Sequence, residues 1–390
     1  MSLPLRLGLF YAAIFVGSGA SSPYMPLWFA ERGLNGAQIG LILSLPLLVR
    51  IVTAPLLAIW ADSFRLRRTA ILLLSLAVAV SYGLLALPLG FTGWMVVWFA
   101  ASSAISSVAP LTDVIALNHA RRAGFNFGWP RGIGSAAFIV GNIGMGAVLA
   151  WGTPDLVLVW ITMAAMLMAV AARFLLPADP VHEDGEKRAA GARFAGLGEL
   201  LRDKGFMTAV VAAGLIQSAH AFYYGFSTLV WRDQGIAPGL TGVLWGVGVA
   251  VEIAFLWWME PWRRRIGPTN LLILGGIASL VRWTGLALSP PLWVIFALQT
   301  LHVFSYAATF LASLEIIGRL SKPANASAAQ SLNSALSGGI LMGLATLASG
   351  PLYDGFGAYG YLLMSAMCGL GLIAALRLRY DADVATRLRG

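Results

Sequence analysis

Apolar residues in this chain do not alternate with polar ones; they run almost unbroken for twenty or more positions, punctuated by Gly, Pro and short charged clusters. About 20 apolar residues cross a bilayer core as a helix. The runs therefore predict twelve transmembrane helices, over residues 5–29, 38–60, 69–89, 94–118, 131–151, 155–176, 206–231, 240–260, 269–288, 291–318, 328–350 and 359–378. A β-barrel would read as alternating segments about ten residues long, and these runs are twice that length and continuous. The longest polar stretch, residues 177–205, divides six helices from six and contains the mixed-charge run 182–188. Residues 1–176 and 206–390 are read as two six-helix bundles, and 177–205 as a cytoplasmic linker.

Composition strengthens this picture. Of the 390 residues, 58% are hydrophobic and only 11% charged, against about 25% charged in a soluble domain. The net charge of +9 would suggest a nucleic-acid partner in a soluble protein. Here 22 of the 26 Lys and Arg fall at the termini and in alternate loops, with Arg32 and Arg232 on the opposite side and Arg50 and Arg282 inside spans. That bias is the positive-inside rule. It orients the chain with both termini in the cytoplasm of a bacterial-type inner membrane and leaves nucleic acid without a role. Cys368 is alone, the four histidines lack metal-ligand spacing, and no cleavable signal is read at the start. No cofactor and no enzymatic activity are expected.

Sliding the second half onto the first by 202 positions aligns Gly33 with Gly235, Gly40 with Gly242, Arg50 with Glu252, Asp113 with Glu315, Ser135 with Ser337 and Gly141 with Gly343. Internal duplication of this kind marks transporter folds built from repeated bundles, with a site near the membrane midplane. The segment AIWADSFRLRR at 58–68 is a worn form of the loop signature GxxxDRxGRR, keeping Asp62, Arg67 and Arg68. With PLTD at 110–113, RGIGSAAFIVG at 131–141, QSAHAFYYGFS at 217–227 and VRW at 281–283, it resembles the major facilitator superfamily, most closely its phenylpropionate permease branch. More distantly it is similar to the oligosaccharide:proton symporters. The resemblance runs over almost the whole chain and implies alternating access, with spans one, four, seven and ten lining a central cavity.

Charges inside a bilayer are costly and mark function by default. The deep set is Arg50, Asp113, His220, Glu252, Arg282 and His302. Gln217, His220, Tyr223 and Tyr224 recur at three- and four-residue steps along span seven, and Gln299 and His302 repeat the pattern in span ten. With Arg131, Arg50, Arg282, Trp245 and Trp283 they form the expected substrate set, because arginine forks suit carboxylates and aromatic rings stack on aromatic cargo. Asp113 on span four and Arg131 at the start of span five are placed to form a charge-assisted pair. The related symporters carry a protonatable glutamate one turn after the span-ten histidine; this chain has Ser305 there. Glu252, then Asp113 or His220, is left as the proton carrier.

Asp62, Arg67 and Arg68, with Glu260 and Arg264 in the second half, are expected gate residues. Glycines 132, 134, 141, 144 and 146 of span five and 338, 339, 343 and 350 of span eleven suit either tight packing or rocking of the halves. The resulting reading is a monomeric, proton-coupled importer of a small, aromatic, organic acid. Alternatives are a sugar or nucleoside symporter, a drug or metabolite exporter, or a non-transporting receptor. Export is disfavoured because GxxxGPxxGG is not reproduced in span five.

Overall fold

The computed structural model describes residues 1–181 and 196–389; the mixed-charge run 182–188 lies outside them. Among the described residues the chain is helical, with one isolated bridge between Leu66 and Pro180 and no sheet. Spans one to six are Leu3–Glu31, Gly36–Asp62, Arg67–Leu85, Gly90–Ala123, Gly128–Leu149 and Asp155–Phe174. Spans seven to ten are Lys204–Asp233, Pro238–Trp258, Pro268–Ala287 and Leu292–Leu320. The last apolar stretch, Pro323–Tyr380, holds 58 residues. As one helix it would be roughly 87 Å long, nearly three times a bilayer core. Gly357, at φ +52°, breaks it into span eleven, ending at Phe356, and span twelve, Tyr361–Tyr380. Glu260 lies beyond span eight, opening a short helix of its own, Glu260–Ile266.

Two compact units form: Met1–Glu186 with Trp231–Gly246, and Lys187–Val230 with Val247–Gly390. The crossing falls inside the expected linker, but the end of span seven and the first half of span eight belong to the first unit. Small residues explain that departure. A Cβ on Gly242 would sit 2.3 Å from the Asn142 carbonyl oxygen, and one on Gly146 would sit 2.5 Å from Tyr24 Oη. Tyr24 Oη also donates to the Pro238 carbonyl at 3.0 Å, and Arg232 pairs with Glu31 at 3.2 Å.

In the first unit, span one lies along span five. A Cβ on Gly141 would meet the Val16 carbonyl at 2.4 Å, and one on Gly134 would meet the Phe15 ring at 2.7 Å. The span-five glycines thus serve packing within their own unit. Span seven lies along span eleven in the second unit, with Ser218 Oγ donating to the Ser337 carbonyl at 3.0 Å.

The duplication is visible in backbone detail. Span one ends with Gly33 at φ +82°, its amide bonded to Ala30 O and the Leu34 amide to Phe29 O. Span seven ends with Gly235 at φ +78°, its amide bonded to Arg232 O and the Ile236 amide to Trp231 O. These are Schellman motifs, offset by the same 202 residues.

The described parts of the linker are tied down at both ends. Asp179 is buried and accepts from Arg67 Nη1 at 2.5 Å, while Arg67 also donates to the Pro180 and Val181 carbonyls. At the far end Glu199 pairs with Lys322. Asp203 caps span seven through the Phe206 amide at 3.0 Å and accepts from Arg387 Nη2 at 2.8 Å. The closing helix Ala382–Arg389 is thereby held to span seven, and Arg387 also donates to the Leu320 carbonyl of span ten.

Candidate functional site

Irregular helix turns build the site in the second unit. Span seven breaks after Ser218, so that His220 occupies the gap before Ala221–Asp233. Span ten widens into a π turn over Val303–Ala308, a feature that concentrates at functional sites. Span nine fits against this wide turn because Gly275 has no side chain. A Cβ there would meet Thr309 Oγ1 at 2.0 Å and the Phe304 carbonyl at 2.9 Å. Two helical turns further along, Arg282 faces Gln299, His302 and Ser305. Span eight approaches through Gly248, whose Cβ would touch the His302 ring at 3.4 Å. Glu252, four residues on and so on the same face, brings Oε2 to 3.6 Å from His302 Nε2.

Arg282 is fully enclosed, at 0% exposure. Its Nη1 donates to His302 Nδ1 at 3.0 Å and Ser305 Oγ at 3.2 Å, and its Nη2 donates to Gln299 Oε1 at 2.7 Å. Its faces lie 4.6 Å from the Tyr223 ring centre and 4.5 Å from that of Trp283. A cation so deep is tolerable only when its donors are satisfied and its charge spread over rings. His220 Nε2 lies 3.2 Å from Ser305 Oγ, and Nδ1 lies 3.0 Å from the Gln217 carbonyl. An aromatic shell closes around them: Trp283 stacks on Tyr361 at 5.7 Å and His302 on Tyr306 at 5.3 Å. The resemblance implies that both histidines face an open cavity. Instead they are enclosed, His220 at 0% and His302 at 7% exposure.

The cluster leaves N–H donors over: Gln299 Nε2 and Arg282 Nε are buried without a hydrogen-bond partner, as is Gln217 Nε2 of span seven. For Gln299 the assignment is forced, since its oxygen must be the atom that accepts from Arg282.

The first unit holds a second cluster, and it differs from the expected pair. Asp113 accepts from Tyr11 Oη at 2.5 Å rather than from Arg131. The Arg131 guanidinium lies over the rings of Phe15 at 4.3 Å and Tyr11 at 5.5 Å. Aromatic faces compete for the cation, and the tyrosine hydroxyl satisfies the carboxylate. Among the described residues no hydrogen bond or ion pair occupies the N–H edge of Arg131. Arg50 is likewise half-buried on span two without such a partner. Trp245 is buried but belongs to the first unit, whereas Tyr224 lies in the second, 5.7 Å from His220.

The expected gate residues have local partners. Arg67 is held by Asp179, and Glu260 pairs with Arg264 one helical turn away at 2.6 Å. Asp62 and Arg68 are half-buried and make no ion pair among the described residues. Glu260, Arg264, Glu315 and Arg319 line a cavity of about 700 Å³ floored by Leu271 and Leu311. Glu315 pairs with Arg319 at 2.8 Å, so its alignment with Asp113 is positional and not chemical.

Sequence reasoning missed Tyr11, Asp179 and Tyr361. Tyr11 and Tyr361 sit in ordinary apolar runs about a hundred residues from Asp113 and eighty from Trp283, and no periodicity signals such contacts.

Two relatives span nearly the whole chain. One, from Escherichia coli strain K12, is described as a probable 3-phenylpropionic acid transporter; it is 27% identical over 372 residues, covering 93% of this chain and 94% of its own. The other is the maltose permease of Geobacillus stearothermophilus, 29% identical over 385 residues and covering 95% and 93%. The crystal structure of the nucleoside transporter NupG superposes with a TM-score of 0.81 at 15% identity, covering all of both chains. A bacterial homologue of the human lysosomal transporter Spinster, in an inward-facing and unoccupied conformation, superposes with a TM-score of 0.70 at 14% identity over 99% of this chain and 97% of that one. At these identities the two structures share the fold. A twelve-span helical chain, duplicated six on six, with polar clusters inside its spans and the MFS_1 like family matching residues 4–363, belongs to that family and is a membrane transporter of small molecules rather than an enzyme.

Proposed function

We propose that this transporter imports a small aromatic carboxylic acid together with protons, by alternating access, with both termini and the basic loops in the cytoplasm. The observation that carries the reading is the donor excess around Arg282. Two buried N–H groups without acceptors, Arg282 Nε and Gln299 Nε2, sit with Trp283, Tyr223, Tyr361 and Tyr306 around them. An ionised carboxylate is acceptor-only and carries about four lone-pair sites, so it answers such a deficit; the rings offer stacking surface to an aromatic body. The relative described as a 3-phenylpropionic acid transporter supports the same class. Sugar symport is the second reading, favoured by the maltose permease relative, although sugar hydroxyls bring donors as well as acceptors.

Glu252 carries the proton in this scheme. It is the carboxylate placed against the Arg282 cluster through His302, and its side chain keeps 22% exposure. Proteoliposomes loaded with a pH dye, challenged with 3-phenylpropionate, benzoate, maltose and uridine, test the whole reading once protein-free vesicles are subtracted. Protein-dependent acidification with an aromatic acid is the expected result, and acidification with maltose alone transfers the reading to sugars. The Glu252→Gln variant is expected to exchange substrate across the membrane but not to accumulate it against a proton gradient. Accumulation by that variant at the native level removes Glu252 from the coupling step.

A further inference from the structure

The hydrogen-bond directions in the Arg282 cluster are forced by chemistry. An arginine only donates, so His302 Nδ1 and Ser305 Oγ, at 3.0 and 3.2 Å from Arg282 Nη1, both accept. Neutral His302 therefore carries its hydrogen on Nε2, the nitrogen that faces Glu252 Oε2 at 3.6 Å. A carbonyl only accepts, so His220 Nδ1, 3.0 Å from the Gln217 carbonyl, is the protonated nitrogen of that ring. His220 Nε2 is then bare and accepts from Ser305 Oγ at 3.2 Å. The two imidazoles, 5.5 Å apart, are opposite tautomers joined through one hydroxyl.

Ser305 has two settings. Its hydroxyl proton points to His220 Nε2 at 3.2 Å or to the His302 carbonyl at 3.3 Å. If His220 takes a second proton at Nε2, that N–H donates to Ser305 Oγ and the hydroxyl turns to the His302 carbonyl. The serine oxygen then accepts from both Arg282 and His220, within its two lone pairs, and no hydrogen bond is lost. His302 has no such freedom. A proton on its Nδ1 would set N–H against the N–H of Arg282.

The other groups around His220 are Tyr224 of span seven, Trp283 of span nine and Tyr306 of span ten. The charges nearby are Arg282 and, beyond His302, Glu252. An arriving anion offsets the Arg282 charge, so the proton and an acidic cargo favour one another at His220.

We propose that Ser305 is a positioning residue that makes the two histidines unequal: its hydroxyl bridges the two opposite tautomers, which Arg282 and the Gln217 carbonyl set, and by turning it lets His220, not His302, take a second proton in place. Its bearing on transport rests on the proton-coupled reading above, but the geometry does not depend on the cargo. The test is therefore made without substrate, by nitrogen-15 NMR of histidine-labelled full-length protein in lipid nanodiscs. Four histidines allow assignment by single substitution. Near neutral pH, His302 is expected as the Nε2–H tautomer and His220 as Nδ1–H. On acidification the doubly protonated signature should appear at His220 while His302 keeps its tautomer.

Ser305→Ala should leave both neutral tautomers unchanged, because Arg282 and the Gln217 carbonyl still hold them, and should move the doubly protonated His220 signature to lower pH, since the new Nε2–H has lost its acceptor; Ser305→Thr, which keeps the hydroxyl, should return it to the native pH. Protonation of His220 at the native pH in Ser305→Ala overturns the proposal, as does a second proton at His302. So does a His220 that stays singly protonated until the protein unfolds. Because no cargo is present, a failed uptake assay and a failed proposal remain separate results.

Discussion

Arg282 separates stability from function at a single residue. Burying a charge costs several kcal/mol, and well-packed apolar replacements of buried ionic groups are often neutral. Arg282→Met sheds that cost but leaves the buried Gln299 and His302 acceptors unpaired, at about 1–3 kcal/mol each. Tm, read by tryptophan fluorescence in detergent, is thus expected to fall by several degrees without loss of the fold, while uptake falls more than tenfold. A collapse of Tm would assign the arginine to scaffolding. Sequence alone picked out Arg282, His302, Gln299 and His220, because polar groups within apolar spans stand out against lipid. That they meet could not be read from it. The meeting depends on a π turn, on Gly275 and Gly248 admitting neighbouring backbones, and on a break at His220. Helical-wheel spacing assumes none of these. The Asp113 to Arg131 pairing failed for a similar reason, since Tyr11 and Phe15 of span one reach those two charges first.

At the level of elements, the turns ending spans one and seven were legible in part. The sequence aligned Gly33 with Gly235, and the backbone gives both the same left-handed closure. No atom lies within 4 Å of a Cβ built at either position, so conformation alone opposes a side chain. Each of Gly33→Ala and Gly235→Ala should cost about 1 kcal/mol, equally in the two halves, measured as a drop in Tm. The closing helix Ala382–Arg389 shows no such signal in the apolar pattern, yet Arg387 holds it to Asp203.

Burial works to raise the Asp203 carboxyl, but the Arg387 guanidinium and the Phe206 amide outweigh it and hold the group below its ordinary value of 3.8. A depressed folded-state value means stability that is present above that ordinary value and lost as pH falls through the lower one. Between ~pH 5 and ~pH 2 native Tm should fall more steeply than that of Asp203→Asn.

For the whole molecule, twelve spans and the duplication followed from hydropathy and the offset of 202, because lipid leaves the backbone few options. The unit boundary did not follow, since glycine contacts among spans one, five and eight decide it. Orientation rests on the charge bias and is directly checkable. Cys368 is buried, so the native chain gives little background to a membrane-impermeant maleimide. A cysteine replacing exposed Arg265 should react only in inside-out vesicles, and one replacing exposed Ala237 only in right-side-out cells. The reverse pattern would invert the topology, and with it the direction of transport.

The wide turn in span ten stores one residue more than an ordinary helical turn. Tightening it would rotate everything beyond by about 100°, the angle one residue subtends in an α-helix. Thr309–Leu320 would then move as a screw, carrying Glu315 and Arg319 more than a quarter turn around while Gln299 and His302 kept their places. Span ten is thus threaded like a bolt, able to report the state of its middle at its far end without bending.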